Sequence, residues 1–71
     1  MPDMIYVDSS NMEQIGYDAN TRELHIYFTD GSKYIYDNVS QDLFDRFVSA
    51  PSKGSFFNRE IRTAGFSFRK L

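Results

Sequence analysis

The residues best suited to chemistry lie in the last third of the chain. Ser52-Lys53-Gly54-Ser55 combines small residues with a lysine at the expected start of a helix. Free backbone N–H groups and the helix dipole at such a start attract an anion; the same residues also serve as ordinary caps. Beyond them, Ser55, Asn58, Arg59 and Arg62 recur at helical spacing and would form one polar face, opposite Phe57, Ile61 and Ala64. Lys53 stands at the N-terminal end of that face, and Arg69 and Lys70 join it if the tail folds back. Such cations could each meet a backbone phosphate of a nucleic acid. Alternatively they form a solvated face whose ion pairs contribute little. Tyr27, on the outer face of an expected strand, is a candidate stacking platform for a base, worth roughly 1–3 kcal/mol. Tyr34 and Tyr36 fit the core, with their hydroxyls reaching its rim.

Catalysis finds little support. His25 is the only histidine and there is no cysteine, so no cysteine-based zinc site or Cys/His pair can be built. His25 is expected as a half-exposed strand residue. Asp42 and Asp45 share a helical face, a spacing ordinary in a first turn. No nucleophile elbow, phosphate loop or dinucleotide fingerprint occurs. The expectation is a non-enzyme with no cofactor and no metal.

At 71 residues the chain holds one domain, residues 1–71, with a lead-in over about 1–11 and a tail over about 65–71. A domain this short buries only about 60% of its unfolded surface. With disulfides excluded, seven Phe and five Tyr must supply the packing. Charge is divided unevenly: residues 1–45 carry nine acids and two bases, and residues 46–71 carry six bases and one acid. That split either marks a nucleic-acid-facing side or lets the two halves attract each other within one fold. No run approaches the ~20 apolar residues of a membrane span. The first ten residues lack a basic start and an apolar stretch, unlike a signal peptide. A cytoplasmic monomer without membrane contact is expected.

The elements that would position these residues follow from periodicity. Gln14 to Tyr17 reads as a first strand, with Ile5-Tyr6-Val7 as a possible short edge strand. Leu24, Ile26 and Phe28 alternate with His25 and Tyr27, the period of a half-buried strand. Lys33 to Tyr36 is the next strand, joined through Asp30-Gly31. A two-residue loop would pair Tyr27 with Tyr34. A three-residue loop, Thr29-Asp30-Gly31 with a left-handed Gly31, pairs Phe28 with Ser32 and Ile26 with Tyr34. The three-residue loop is preferred because it gathers Leu24, Ile26, Phe28, Tyr34 and Tyr36 on one face, leaving His25, Tyr27, Lys33 and Ile35 outside. Ser40 suits an N-cap, Asp42 the first turn, and Val39 with Phe44 a hydrophobic staple. Pro51 ends that helix. A second helix runs from Ser52 or Ser55 to about Ala64, with Gly65 as its cap. Phe66-Ser67-Phe68 alternates and could tuck against the sheet. The expected fold class is α+β, a small two-layer domain with a three-stranded antiparallel sheet followed by two helices packed on one face.

In order along the chain, Ser9-Ser10-Asn11-Met12, Ile15-Gly16-Tyr17, Leu24-x-Ile26-x-Phe28-x-x-Gly31-x-x-Tyr34-x-Tyr36, Val39, and Ala50-x-Ser52-Lys53-Gly54-x-Phe56-Phe57-Asn58-x-x-Ile61-Arg62 resemble the KTSC domain. This module is found alone or at the C-terminus of some lysyl-tRNA synthetases. Ser40 stands where the family often has proline; both suit a helix start. The resemblance implies no catalytic residues and adds a suggestion of RNA binding. The functional expectation is a small binding module, for RNA (tRNA or single-stranded) through Lys53, Asn58, Arg59, Arg62, Arg69, Lys70 and Tyr27. The alternative is contact with a larger protein through the exposed sheet face or an edge strand.

Overall fold

Gly31 sets the register of the central hairpin. In the computed structural model, which describes residues 2–71, Gly31 has φ +91°, a conformation open to glycine at no steric cost. Its N–H donates to the Phe28 carbonyl at 3.0 Å, and Phe28 N–H donates to the Ser32 carbonyl at 2.8 Å. Ile26 then faces Tyr34 and Leu24 faces Tyr36, the register of the three-residue loop.

The sheet has five strands, not the three expected. They are β1 (Met4–Tyr6), β2 (Met12–Asp18), β3 (Glu23–Phe28), β4 (Lys33–Tyr36) and β5 (Phe68–Lys70), antiparallel and in sequence order across the sheet. The two additional strands have only three residues each, too few to show a period of two. Gly16 explains how β1 docks. A Cβ placed there would lie 2.5 Å from the Met4 sulfur and 2.9 Å from the Asp3 carbonyl oxygen. At the other edge the tail turns at Gly65, φ +85°, and pairs with β4. A bulge between Met12 and Gln14 turns Met12 into the core, since an extra residue switches the face on which neighbours point.

Helix α1 (Gln41–Ser49) begins where Ser40 accepts a hydrogen bond from Leu43 N–H at 3.1 Å. It ends at Ala50, whose extended backbone (ψ 136°) is the conformation favoured before proline. Helix α2 (Lys53–Phe56) continues as a π-helical segment over Phe57–Arg62. Both helices cover one face of the sheet. Between the layers lie Ile15, Leu24, Ile26, Val39, Phe47 and Ile61 with the rest of the core. Phe47 stacks on Phe56 with ring centres 5.4 Å apart.

The outer face corrects a second expectation. His25 is 6% exposed, not half-exposed, and Ile35 beside it is equally buried. They occupy one row across the sheet, Met4, Gly16, His25, Ile35 and Arg69. With no side chain on Gly16, Met4 lies over the row from one end. From the other, Arg69 donates to Glu23 at 2.6 Å and to Asp37 at 3.2 Å. No helix in the described residues is long and apolar enough to cross a membrane.

Candidate functional site

Between the β3–β4 hairpin, β5 and the π-helical segment lies a cleft of about 490 Å³. Register places its floor. Phe28, Tyr34 and Tyr36 stand on the helix-facing side of the hairpin, and Phe68 faces Tyr36 from β5. Their rings are in mutual contact. Tyr34 meets Phe28 edge-on at 5.5 Å and stacks with Tyr36 at 6.4 Å, and Phe68 lies 5.8 Å from Tyr34 and 5.3 Å from Tyr36. Phe57 closes the floor, edge-on to Phe28 and Tyr36 at 5.7 Å each. Phe68 remains 57% exposed, a large aromatic surface left uncovered at the cleft mouth.

The rim is polar. Asn11, Asp30, Ser32, Asn58 and Arg62 line it. Asp30 is fixed by Ser32, whose N–H and hydroxyl both donate to one carboxylate oxygen; these bonds hold its carboxyl below the ordinary aspartate range. Arg62 is exposed and makes no hydrogen bond or ion pair with the described residues. Burial pushes the Tyr36 hydroxyl above the ordinary tyrosine range, and neighbouring Tyr34 adds to the effect while Arg62 opposes it. The cleft lining therefore includes one cation, Arg62, and one anion, Asp30. A flat ring would find aromatic surface below it, amides at its edge, and a guanidinium for any attached phosphate.

The residues expected to form one basic face are dispersed. The face rested on α-helical spacing, and the wider winding of Phe57–Arg62 changes it. Asn58 and Arg62 line the cleft. Arg59 instead donates to Glu60 at 3.0 Å and lies over the Phe56 ring, 5.8 Å from its centre. Lys53 folds back to donate to the Ala50 carbonyl at 2.6 Å, at the end of α1. Arg69 lies on the outer face of the sheet, held by Glu23 and Asp37. Lys70 faces Tyr34 across β4–β5. The Tyr27 ring, also on the outer face, is covered by the Lys33 ammonium at 4.8 Å. At the helix start, Ser52 caps Ser55 N–H at 3.3 Å, and Gly54 lies against Ser9 and Asn11. Of the expected set the structure thus brings Asn58 and Arg62 together at one site.

The sequence reading left the cleft undescribed, although the signal was present. Asn11, Phe28, Tyr34, Tyr36, Phe57, Asn58 and Arg62 all belong to the ordered pattern described above. Phe68, the exposed wall, lies outside it.

Comparison with known proteins gives a consistent result. A family model of the KTSC domain matches residues 8–66. The chain is 40% identical over 56 residues to a protein of Tsukamurella paurometabola, an alignment covering 79% of this chain and 84% of that one. It is 36% identical over 64 residues to a lysine–tRNA ligase of Nostoc punctiforme, covering 90% of this chain but only 11% of the ligase. A crystal structure of a KTSC domain protein from Yersinia pestis superposes with a TM-score of 0.91 at 38% identity, covering 100% of this chain and 99% of that one.

Proposed function

The chain belongs to the KTSC domain family, and from that premise we propose that it is a small, non-catalytic binding module for single-stranded RNA whose contact surface is the aromatic cleft. The observation that carries this reading is the conjunction of exposed Phe68 with unpaired Arg62 at one mouth. Aromatic surface supplies sequence-tolerant stacking for bases, and a free guanidinium meets a phosphate without first breaking an ion pair. The similarity to part of a lysine–tRNA ligase supports RNA over other polyanions. With few cations near the cleft and a net charge of −2, affinity of the module alone is modest, and a larger partner would gain from it through raised effective concentration.

Titration of a labelled single-stranded oligoribonucleotide at low salt tests the reading. Arg62→Glu should abolish binding, while Lys33→Glu, on the opposite face, should change it little. Undiminished binding by Arg62→Glu removes the proposal. A second reading, contact with a protein, draws on a separate surface at the β1 edge.

A further inference from the structure

The two edges of the sheet are guarded unequally. β5 ends in Arg69 and Lys70, and charged side chains of this kind keep an edge from pairing with other chains. β1 is Met4-Ile5-Tyr6, with no charge in the strand. Val7 N–H donates to the Glu13 carbonyl at 3.0 Å, and the register runs Tyr6 to Gln14, Ile5 to Ile15 and Met4 to Gly16. Alternation along an antiparallel ladder then turns the backbone groups of Ile5 toward β2 and those of Met4 and Tyr6 outward. Tyr6 is 78% exposed.

Beside this edge, between β1 and α1, lies a second groove of about 500 Å³. Its floor is Ile5, Tyr17, Phe44 and Val48, and Asp3 and Asp45 stand on its rim with no cation among the lining residues. Tyr17 stacks on Phe44 at 5.2 Å and donates to the Val39 carbonyl at 2.5 Å, so the floor is fixed. Ile5 and Val48 are 41% and 36% exposed.

We propose that β1 accepts a basic, extended segment of a partner protein as an added strand. Main-chain hydrogen bonds to Met4 and Tyr6 hold it, and of the alternate side chains that it turns toward the β1–α1 groove, apolar ones enter the floor while lysines or arginines flanking them meet Asp3 and Asp45. An open strand edge beside a side-chain pocket is the arrangement used in strand-addition recognition. Charge selects the occupant. The first 45 residues carry seven more acids than bases, so a second copy paired through its own β1 would bring like charges together, whereas a basic segment neutralises them.

The test uses the full chain and a synthetic peptide Thr-Lys-Thr-Val-Thr-Val-Thr-Lys, whose valines and lysines share one face of a strand, with glutamate in place of lysine as control. Backbone chemical shifts should move along β1 and α1 on titration with the basic peptide, and not with the acidic one. Tyr6→Pro removes an outward N–H while leaving the Ile5 ladder bonds in place, a substitution edge strands tolerate. It should weaken binding about twofold to tenfold, the loss of one main-chain hydrogen bond. Asp45→Lys, on the exposed helix surface, should weaken it without touching the strand. Equal binding of both peptides, shifts confined to the aromatic cleft, or dimers of the chain formed through β1 would each overturn the proposal. RNA binding at the cleft is read separately through Arg62→Glu, so either proposal can fail alone.

Discussion

Replacing Phe68 with alanine separates the roles of a ring that both closes the sheet edge and faces the cleft. Fully burying a phenylalanine contributes about 1.5–3 kcal/mol. Phe68 is less than half covered, so the folding loss from its contacts with Tyr34 and Tyr36 should be near 1 kcal/mol. Stacking one base on the exposed part is worth roughly 1–3 kcal/mol, or about 5- to 150-fold in Kd. Urea denaturation measures the first quantity, and fluorescence anisotropy of a labelled single-stranded oligoribonucleotide at low salt measures the second. Phe68→Leu and Phe68→Tyr complete the series. Leucine keeps apolar volume without a ring, and tyrosine keeps the ring. If stacking carries the contact, Phe68→Tyr retains affinity while Phe68→Leu falls close to Phe68→Ala. Leucine binding as tightly as the original residue would refute stacking as the source of affinity.

Other consequences follow from particular contacts. The hydrogen bond from Arg69, then that from Thr21, holds the Glu23 carboxyl below its usual 4.5. A carboxylate whose folded pKa is depressed contributes stability that is complete above its unfolded value and lost as pH falls through the folded one. Denaturation midpoints should therefore fall below about pH 4.5, with a shallower decline in Glu23→Gln. Gly16→Val should displace Met4 and the Asp3 backbone at a cost of about 1–3 kcal/mol, seen as faster amide exchange along β1 with the core protected. Phe47→Ala empties the centre of the core and should cost about 3–5 kcal/mol. That is on the order of the whole stability of so short a chain, and circular dichroism melts would show a largely unfolded population.

What the sequence revealed was governed by local chemistry. Gly31 needed only its own backbone freedom to set the hairpin register, and Ser40 and Pro51 bounded α1 through contacts within one turn. The features that were missed, or left open like the edge strand at Ile5-Tyr6-Val7, depend on distant partners. β1 exists because Gly16 leaves room for it, and β5 because Arg69 finds Glu23 across 46 positions. His25 alternates like a surface residue and is buried by Met4 and the row around it. The polar face of the last helix was legible as a set of residue types, but the wider winding of Phe57–Arg62 parts Arg59 from Arg62, and no spacing rule in the sequence announces that change. The family pattern identified seven cleft residues without showing that they share a cleft.

Strand order has a consequence for how the molecule is assembled. The first four strands can form in succession, each hairpin closing over a short stretch of chain, so nucleation of the sheet carries a small loop-entropy cost. The fifth closes over the residues between Tyr36 and Phe68, a connection that contains both helices, at a larger loop-entropy cost. One wall of the cleft thus depends on the longest closure in the sheet, and Arg69 fastens the tail there to Glu23 and Asp37. A chain shortened by its final residues would keep the four-stranded layer and both helices and lose the wall that Phe68 supplies.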